Sequence, residues 1–270
     1  MNVRDIKDKV NSLNSNSKML LFKVMLVLVL IISLKDELVG SSAVLALLCS
    51  VLFLTFNHGS IVCSLKILNN REEEFDFPKE IFVGFTRIKE LFSTYLVYNV
   101  IQYAVTCFML IVIAMLTIGD FVYLLELYVG TTTYSVDTLD SLISSFIVFF
   151  ILFGFLWMAF LTYWELNFGF TFFALERYDV KGIAAMKRSK QLLEGYKMIY
   201  LKLLLSFLLK IVGFVFISAI IATMLSSLAS IVSILISIAL VYFVSVDMML
   251  CRTVLFEEMC ISFHEKGAVE

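Results

Sequence analysis

Apolar residues in this chain gather into long, nearly unbroken runs, and polar residues are confined to the stretches between them. A membrane-crossing helix needs about 20 apolar residues. Runs of that kind are Met19 to Leu34, Leu38 to Leu68, Leu91 to Leu116, Leu142 to Leu175, Met198 to Leu225 and Ala229 to Cys251. The pattern predicts an all-α, polytopic membrane helix bundle with about six transmembrane helices in one membrane domain. The second and fourth runs are too long for simple spans, because thirty helical residues at about 1.5 Å each exceed a hydrocarbon core of about 30 Å. They must tilt, bend or continue past the interface, and Gly59 and Gly169 are the expected places to bend.

Shorter amphipathic signals lie between the runs. Asp76 can cap a helix with Ile81, Phe82, Phe85 and Ile88 at apolar positions and Pro78 in its first turn, where a missing N–H costs nothing. Asp179 can cap a second, with Ile183, Met186 and Leu193 on one face. Near the N-terminus, Val3, Ile6, Val10 and Leu13 recur at helical spacing. The segment from Thr86 to Tyr95 also aligns with that from Lys187 to Tyr196, with Arg, Lys, Leu and Tyr in register. Together these read as three repeated units, each an amphipathic cytosolic helix followed by a helical hairpin. The expected divisions are an N-terminal amphipathic segment over 1–18, a first hairpin over 19–68, an amphipathic helix plus hairpin over 76–175, another over 179–251, and a cytosolic tail over 252–270.

Charge fixes the expected orientation. Of the 21 Lys and Arg, all but Lys35 and Lys210 fall on one side of the runs, while the loop from Leu116 to Asp140 carries acids and no base. By the positive-inside rule both termini are cytosolic and the Thr131–Tyr134 region is outside. Within that outer loop the stretch Phe121 to Leu127 reads as a short membrane-surface helix or plug, with Tyr123 and Tyr128 as interfacial aromatics. Composition agrees with membrane residence: 61% of residues are hydrophobic and the mean hydropathy is +0.96, beyond what a soluble domain of this size can hide. The polar start from Met1 to Ser17 and the lack of a small-residue cleavage site read as a signal anchor rather than a cleaved leader. The same base distribution argues against nucleic-acid binding. Five cysteines without a CxxC, and two histidines, give no support to a disulfide framework, a zinc site or any cofactor.

One stretch resembles a known family. Ala185-Met186-Lys187-Arg188-Ser189-Lys190-Gln191-Leu192-Leu193-Glu194-Gly195-Tyr196-Lys197, followed by Leu204-Leu205-Ser206-Phe207 and, near the end, Thr253-Val254-Leu255-Phe256-Glu257-Glu258-Met259, is similar to the bacterial membrane proteins called domain of unknown function 975. The likeness is best from Phe168 to Met259. Where that family carries a Pro-Gly pair, this chain reads Asn167-Phe168-Gly169-Phe170. The resemblance implies a six-span bacterial plasma-membrane protein and implies no reaction.

Ionisable groups inside a membrane are functional candidates by default. Lys202, Ser206 and Lys210 stand at i, i+4 and i+8 on the fifth span. Lys210 is expected roughly 18–20 Å in, too deep to snorkel freely, so it requires a carboxylate, amide oxygens or water. Asn99 and Gln102, on one face of the third span, are its expected neighbours, with Glu165 and Asp247 as possible acids. His58 with Glu165 or Asp247 is the one conceivable acid–base pair, and Asn57 lies beside it. Lys187, Arg188 and Lys190 are expected at the lipid surface, facing anionic headgroups. No HExxH, GxSxG or phosphate-binding glycine loop is present. The sequence therefore reads as a non-enzymatic, transport- or envelope-associated membrane protein that presents a cytosol-facing polar cavity and basic helices to lipid or a protein partner. The alternatives are a permease for a small solute, lipid or peptide, coupled to an ion gradient or a separate ATPase, and, further off, an enzyme acting on lipid.

Overall fold

Every regular element among the described residues is helical, as the long apolar runs require. The structure, a computed structural model, describes residues 1–39, 43–69, 77–129, 136–224 and 229–267. The helices are α1 (Val3–Asn11), α2 (Ser15–Val39), α3 (Ala43–Leu68), α4 (Phe77–Thr86), α5 (Ile88–Val129), α6 (Val136–Phe168), α7 (Thr171–Tyr178), α8 (Ile183–Leu193), α9 (Lys197–Met224), α10 (Ala229–Leu240) and α11 (Val246–Gly267), with a π-helical turn over Val241–Ser245 between the last two. Five stretches are long and apolar enough to cross a membrane: Leu48–Leu68, Ile88–Val112, Ile151–Tyr178, Lys197–Ile221 and Leu235–Glu265. A sixth appears if α1 and α2, bent by 99° to each other, count as one broken span. The expected cap Asp76 and the outer region 131–134 lie outside the described residues.

The chain forms two units, one of residues 1–95 and 166–270, the other of residues 96–165. The second unit is an apolar pair of helix segments. Tyr98 meets Trp164 edge-on at 5.2 Å, and Trp164 continues a ladder through Phe160 and Trp157 to Phe153. Among the residues whose side chains are described, most of its large ones stand exposed, Phe155 at 73%, as a lipid-facing surface requires. The stretch 121–127 is no separate plug: α5 runs through it unbroken to Val129, because its apolar residues carry no Gly or Pro to end the helix.

In the first unit α1 realises the Val3, Ile6, Val10, Leu13 spacing. Asn2 and Asp5 form a reciprocal capping box at its start, Ile6 and Val10 are fully buried, and the helix packs on α9 and α11. Gly59 does not bend α3, which is continuous. It serves a close crossing instead: a Cβ there would sit 2.7 Å from the Glu80 carbonyl oxygen, and one on Gly84 would sit 2.1 Å from that of Thr55. Two glycines thus let α4 run antiparallel along the second half of α3. Ile81 faces inward, Phe82 and Phe85 gather with Phe56 at 5.8 Å, and buried Glu80 ion-pairs with Lys66.

Gly169 does mark a break, between α6 and α7. Below it lies an aromatic core in which Phe170 meets Tyr200 at 4.9 Å and Phe256 at 5.9 Å, while Phe173 meets Phe256 at 5.2 Å. All four are buried. Such pairs contribute about 0.5–1.5 kcal/mol each beyond simple burial. Phe256 belongs to the segment expected as a cytosolic tail. The last helix runs through it to Gly267, and Val254, Leu255, Phe256, Met259 and Cys260 are core residues. Their i, i+1, i+5 pattern is amphipathic and covers the aromatic cluster, so the helix has reason to persist past Cys251. The two aligned decapeptides fall differently: Ile88 to Tyr95 opens the long α5, whereas Lys187 to Leu193 lies in the short α8 and ends in a turn.

Candidate functional site

Two polar constellations stand in the first unit. The first locks helices together. Asp179, expected to start a helix, ends one: it is the C-cap of α7 in the left-handed region (φ 52°), and Gly182 opens α8. Its carboxylate is taken by Arg87, at the one-residue break between α4 and α5. Arg87 also reaches Glu90 at 2.7 Å and Glu176 at 3.0 Å. Burial by itself disfavours the Arg87 charge, but the bond to Glu90 and the charges of Glu176, Glu90 and Asp179 outweigh it and hold the guanidinium above its ordinary pKa. The Glu176 oxygen that accepts from Arg87 is also 2.9 Å from His58 Nε2. His58 is therefore held by Glu176, not by Glu165 or Asp247. It is 1% exposed, and its Nδ1 has no hydrogen-bond partner among the described residues. Asn57 beside it is half-buried, and its carbonyl accepts from Ser60 at 2.7 Å. The Gly182 N–H donates to Thr94 Oγ1 at 2.8 Å, tying α8 to the start of α5.

The break at Gly169 is held in a similar way. Ser189 accepts from the Phe170 N–H and donates to the Asn167 carbonyl, both at 3.2 Å. Lys197 donates to Asn167 Oδ1 at 2.7 Å, and Arg252 donates to the Gly169 carbonyl at 2.5 Å while lying over the Phe170 and Tyr200 rings. A helix break leaves backbone groups without intrahelical partners; here Ser189 of α8 serves two of them and Arg252 of α11 a third, while Lys197 of α9 holds the Asn167 side chain.

The second constellation surrounds Lys210. A half-open recess of about 60 Å³ is lined by Lys7, Asn11, Phe207, Lys210, Asp247 and Cys251, among others. It exists because α1 folds back across α9 and α11, so that Lys210 does not stand alone within a span: the amphipathic N-terminal helix reaches its level. Lys210 and Lys7 each lie over the Phe207 ring, at 5.3 and 5.4 Å. Asp247 shares the recess and pairs with Lys18 of α2 at 3.4 Å. The π turn ends two residues before Asp247. Its Tyr242 packs edge-on against Phe22 at 5.2 Å, and the wider turn sets the phase in which α11 presents Asp247. Such turns recur at functional positions.

Of the residues singled out in sequence, Lys210 and Asp247 come together, and Asp247 was among the anticipated acids. Asn99, Gln102 and Glu165 belong to the second unit, all half-buried; the Gln102 carbonyl accepts from Thr106 Oγ1 at 2.8 Å. The three bases of α8 do not act alike. Lys187 and Lys190 are exposed, but Arg188 lies over Tyr178 at 4.7 Å and Phe263 at 4.8 Å. The opposite face, Ala185, Met186, Ser189, Leu192 and Leu193, is buried in protein, and Ile183 is exposed. The apolar stripe of α8 thus covers the core and not lipid, as a stripe does when α7 and α11 are available to meet it. Residues missed in sequence are Lys7 and Asn11 in the recess, Lys18 paired with its Asp247, and Glu176 and Arg87 in the ion network. Lys7 carried a legible signal, one residue after buried Ile6 on a capped helix. Glu176 carried none, since 118 residues separate it from His58.

Fold and site together define an all-helical chain with at least five helices suited to crossing a membrane and a cation-rich recess between its terminal helices. No family model matches the chain, and neither a curated protein nor a solved structure is measurably similar to it.

Proposed function

We propose that this is a non-enzymatic, six-span protein of a bacterial plasma membrane, with both termini cytosolic. Its basic end presents the recess and the exposed lysines of α8 to anionic lipid headgroups or to a protein partner. One observation carries the reading: Lys7, Lys210 and Asp247, from three different helices, line one small recess, and Lys18 of a fourth helix pairs with Asp247; clustered lysines suit anionic lipid headgroups. The same architecture is what the resemblance to domain of unknown function 975 implies.

The broken helix at Gly169 favours a second reading, a permease for a small solute, lipid or peptide driven by an ion gradient or a separate ATPase, since transporter sites are built at such breaks. Against it, the polar groups at the break already serve one another. An enzyme acting on lipid ranks lower, because His58 is buried and occupied by Glu176.

Two measurements test the reading. With native cysteines replaced, Thr132→Cys should react with an impermeant thiol reagent on intact cells; reaction only after lysis overturns the topology. Proteoliposomes should show no solute flux above protein-free vesicles; flux that needs the protein moves the second reading to first place.

A further inference from the structure

We propose that the recess between α1, α9 and α11 binds a phosphoryl anion, held by Lys7 and Lys210, and that its source is the headgroup of an anionic phospholipid. The proposal rests on the membrane reading above and names the ligand class of its cavity. Lys7 and Lys210 line the recess together with one carboxylate, Asp247, and Lys18 pairs with that carboxylate. Asp247 is engaged by Lys18, whereas Lys7 and Lys210 have no ion-pair partner among the described residues. Both lie over a single ring, Phe207, and an anion in the recess they line would be attracted by both charges at once. Lysine binds phosphate as a point charge, and Asn11 adds an amide donor to the same wall. The recess, about 60 Å³, is several times the ~10–15 Å³ that a single water requires, so a tetrahedral oxyanion is not excluded by size. Asp247 opposes an anion and limits its charge, which favours a singly charged phosphodiester over a free dianion.

The surroundings point to lipid as the source. On α9, next to Lys210, Leu209 is 76% exposed and Val212 56%, so an apolar surface flanks the cationic recess along the same helix. A phosphodiester carrying acyl chains satisfies both at once, and soluble phosphate satisfies only the first.

The test uses the full-length protein in a neutral detergent, reading its thermal unfolding midpoint while titrating short-chain phosphatidylglycerol, short-chain phosphatidylcholine or inorganic phosphate. Phosphatidylglycerol should raise the midpoint saturably, and phosphatidylcholine should not. Lys7→Gln and Lys210→Gln should each weaken the apparent affinity about tenfold, Lys7→Arg and Lys210→Arg should retain it, and Lys202→Gln, on α9 but outside the recess, should leave it unchanged. Asp247→Asn should tighten binding, a change that a purely structural carboxylate would not produce. Equal saturation by inorganic phosphate alone would keep the site and overturn the lipid source. Titrations that no recess variant moves, or no saturable effect of either anion, overturn the proposal. Detergent titration is blind to orientation, so its failure leaves the topology standing, and a failed topology test leaves the anion site standing.

Discussion

Replacing Gly84 by alanine should be the most damaging single methyl group in the described chain. The added Cβ would lie 2.1 Å from the Thr55 carbonyl oxygen and 2.7 Å from its carbonyl carbon and Cα. Non-bonded carbon contacts are comfortable near 3.5–4.0 Å, so α4 must move from α3 by roughly 1 Å. The obstacle is backbone, which cannot swing aside as a side chain does. Moving α4 also loosens the Phe56, Phe82, Phe85 cluster and the Lys66–Glu80 pair. Overpacking costs about 1–3 kcal/mol, and the upper end applies here. Better helix propensity returns at most about 1 kcal/mol, leaving a net loss of about 2 kcal/mol. For a chain of this size that corresponds to a fall in Tm of about 4–8 °C. Thermal unfolding in mild detergent would measure it, with Gly154→Ala and Gly213→Ala as controls, since a Cβ at either glycine meets nothing within 4 Å. Those two should hold or gain stability. An unchanged Tm for Gly84→Ala, or an equal fall in all three, would refute the close crossing of α3 and α4.

Other outcomes follow from the same contacts. Arg87→Met leaves Glu90, Glu176 and Asp179 facing one another and should cost about 2–3 kcal/mol, less than a fully buried pair because Arg87 is partly exposed; adding Glu176→Gln should recover part of the loss in a double-mutant cycle. Ser189→Ala removes both hydrogen bonds that clasp the helix break and should cost about 1–3 kcal/mol in the same unfolding measurement. Arg188→Ala should lower stability by about 1–2 kcal/mol through its two ring contacts, whereas Lys187→Ala and Lys190→Ala should stay within about 0.5 kcal/mol and instead weaken co-sedimentation with anionic vesicles.

What the sequence disclosed was local. Runs of apolar residues located the long helices, Gly169 marked a true break, and Val3, Ile6 and Val10 foretold a helix buried on one side. Lys210 and Asp247, both singled out in the sequence, line one recess, where Asp247 pairs with Lys18. The failures share a cause, which is separation along the chain. Nothing near His58 announces Glu176, and nothing near Gly59 or Gly84 says that they face each other's helices. Asp179 looked like a helix start because its neighbours suit one, but a distant arginine uses its carboxylate. The apolar stripe of α8 was legible as a stripe, but the protein core that covers it was not, since periodicity tells which face is buried and not what buries it.

The π turn at Val241–Ser245 has a bearing on how this chain tolerates change in length. An α-helix advances by roughly 100° per residue, so adding or removing one residue swings everything beyond it to another side. A π turn is a helix that has absorbed one residue too many. It holds a spare unit in a confined place, and the helix on either side keeps its own facing. A one-residue deletion within 241–245 can therefore be taken up by closing the turn to ordinary α-helix, with Phe256 still against Phe170 and Asp247 still toward Lys18. The same deletion a few residues later has no such reserve and would turn the final aromatic core outward.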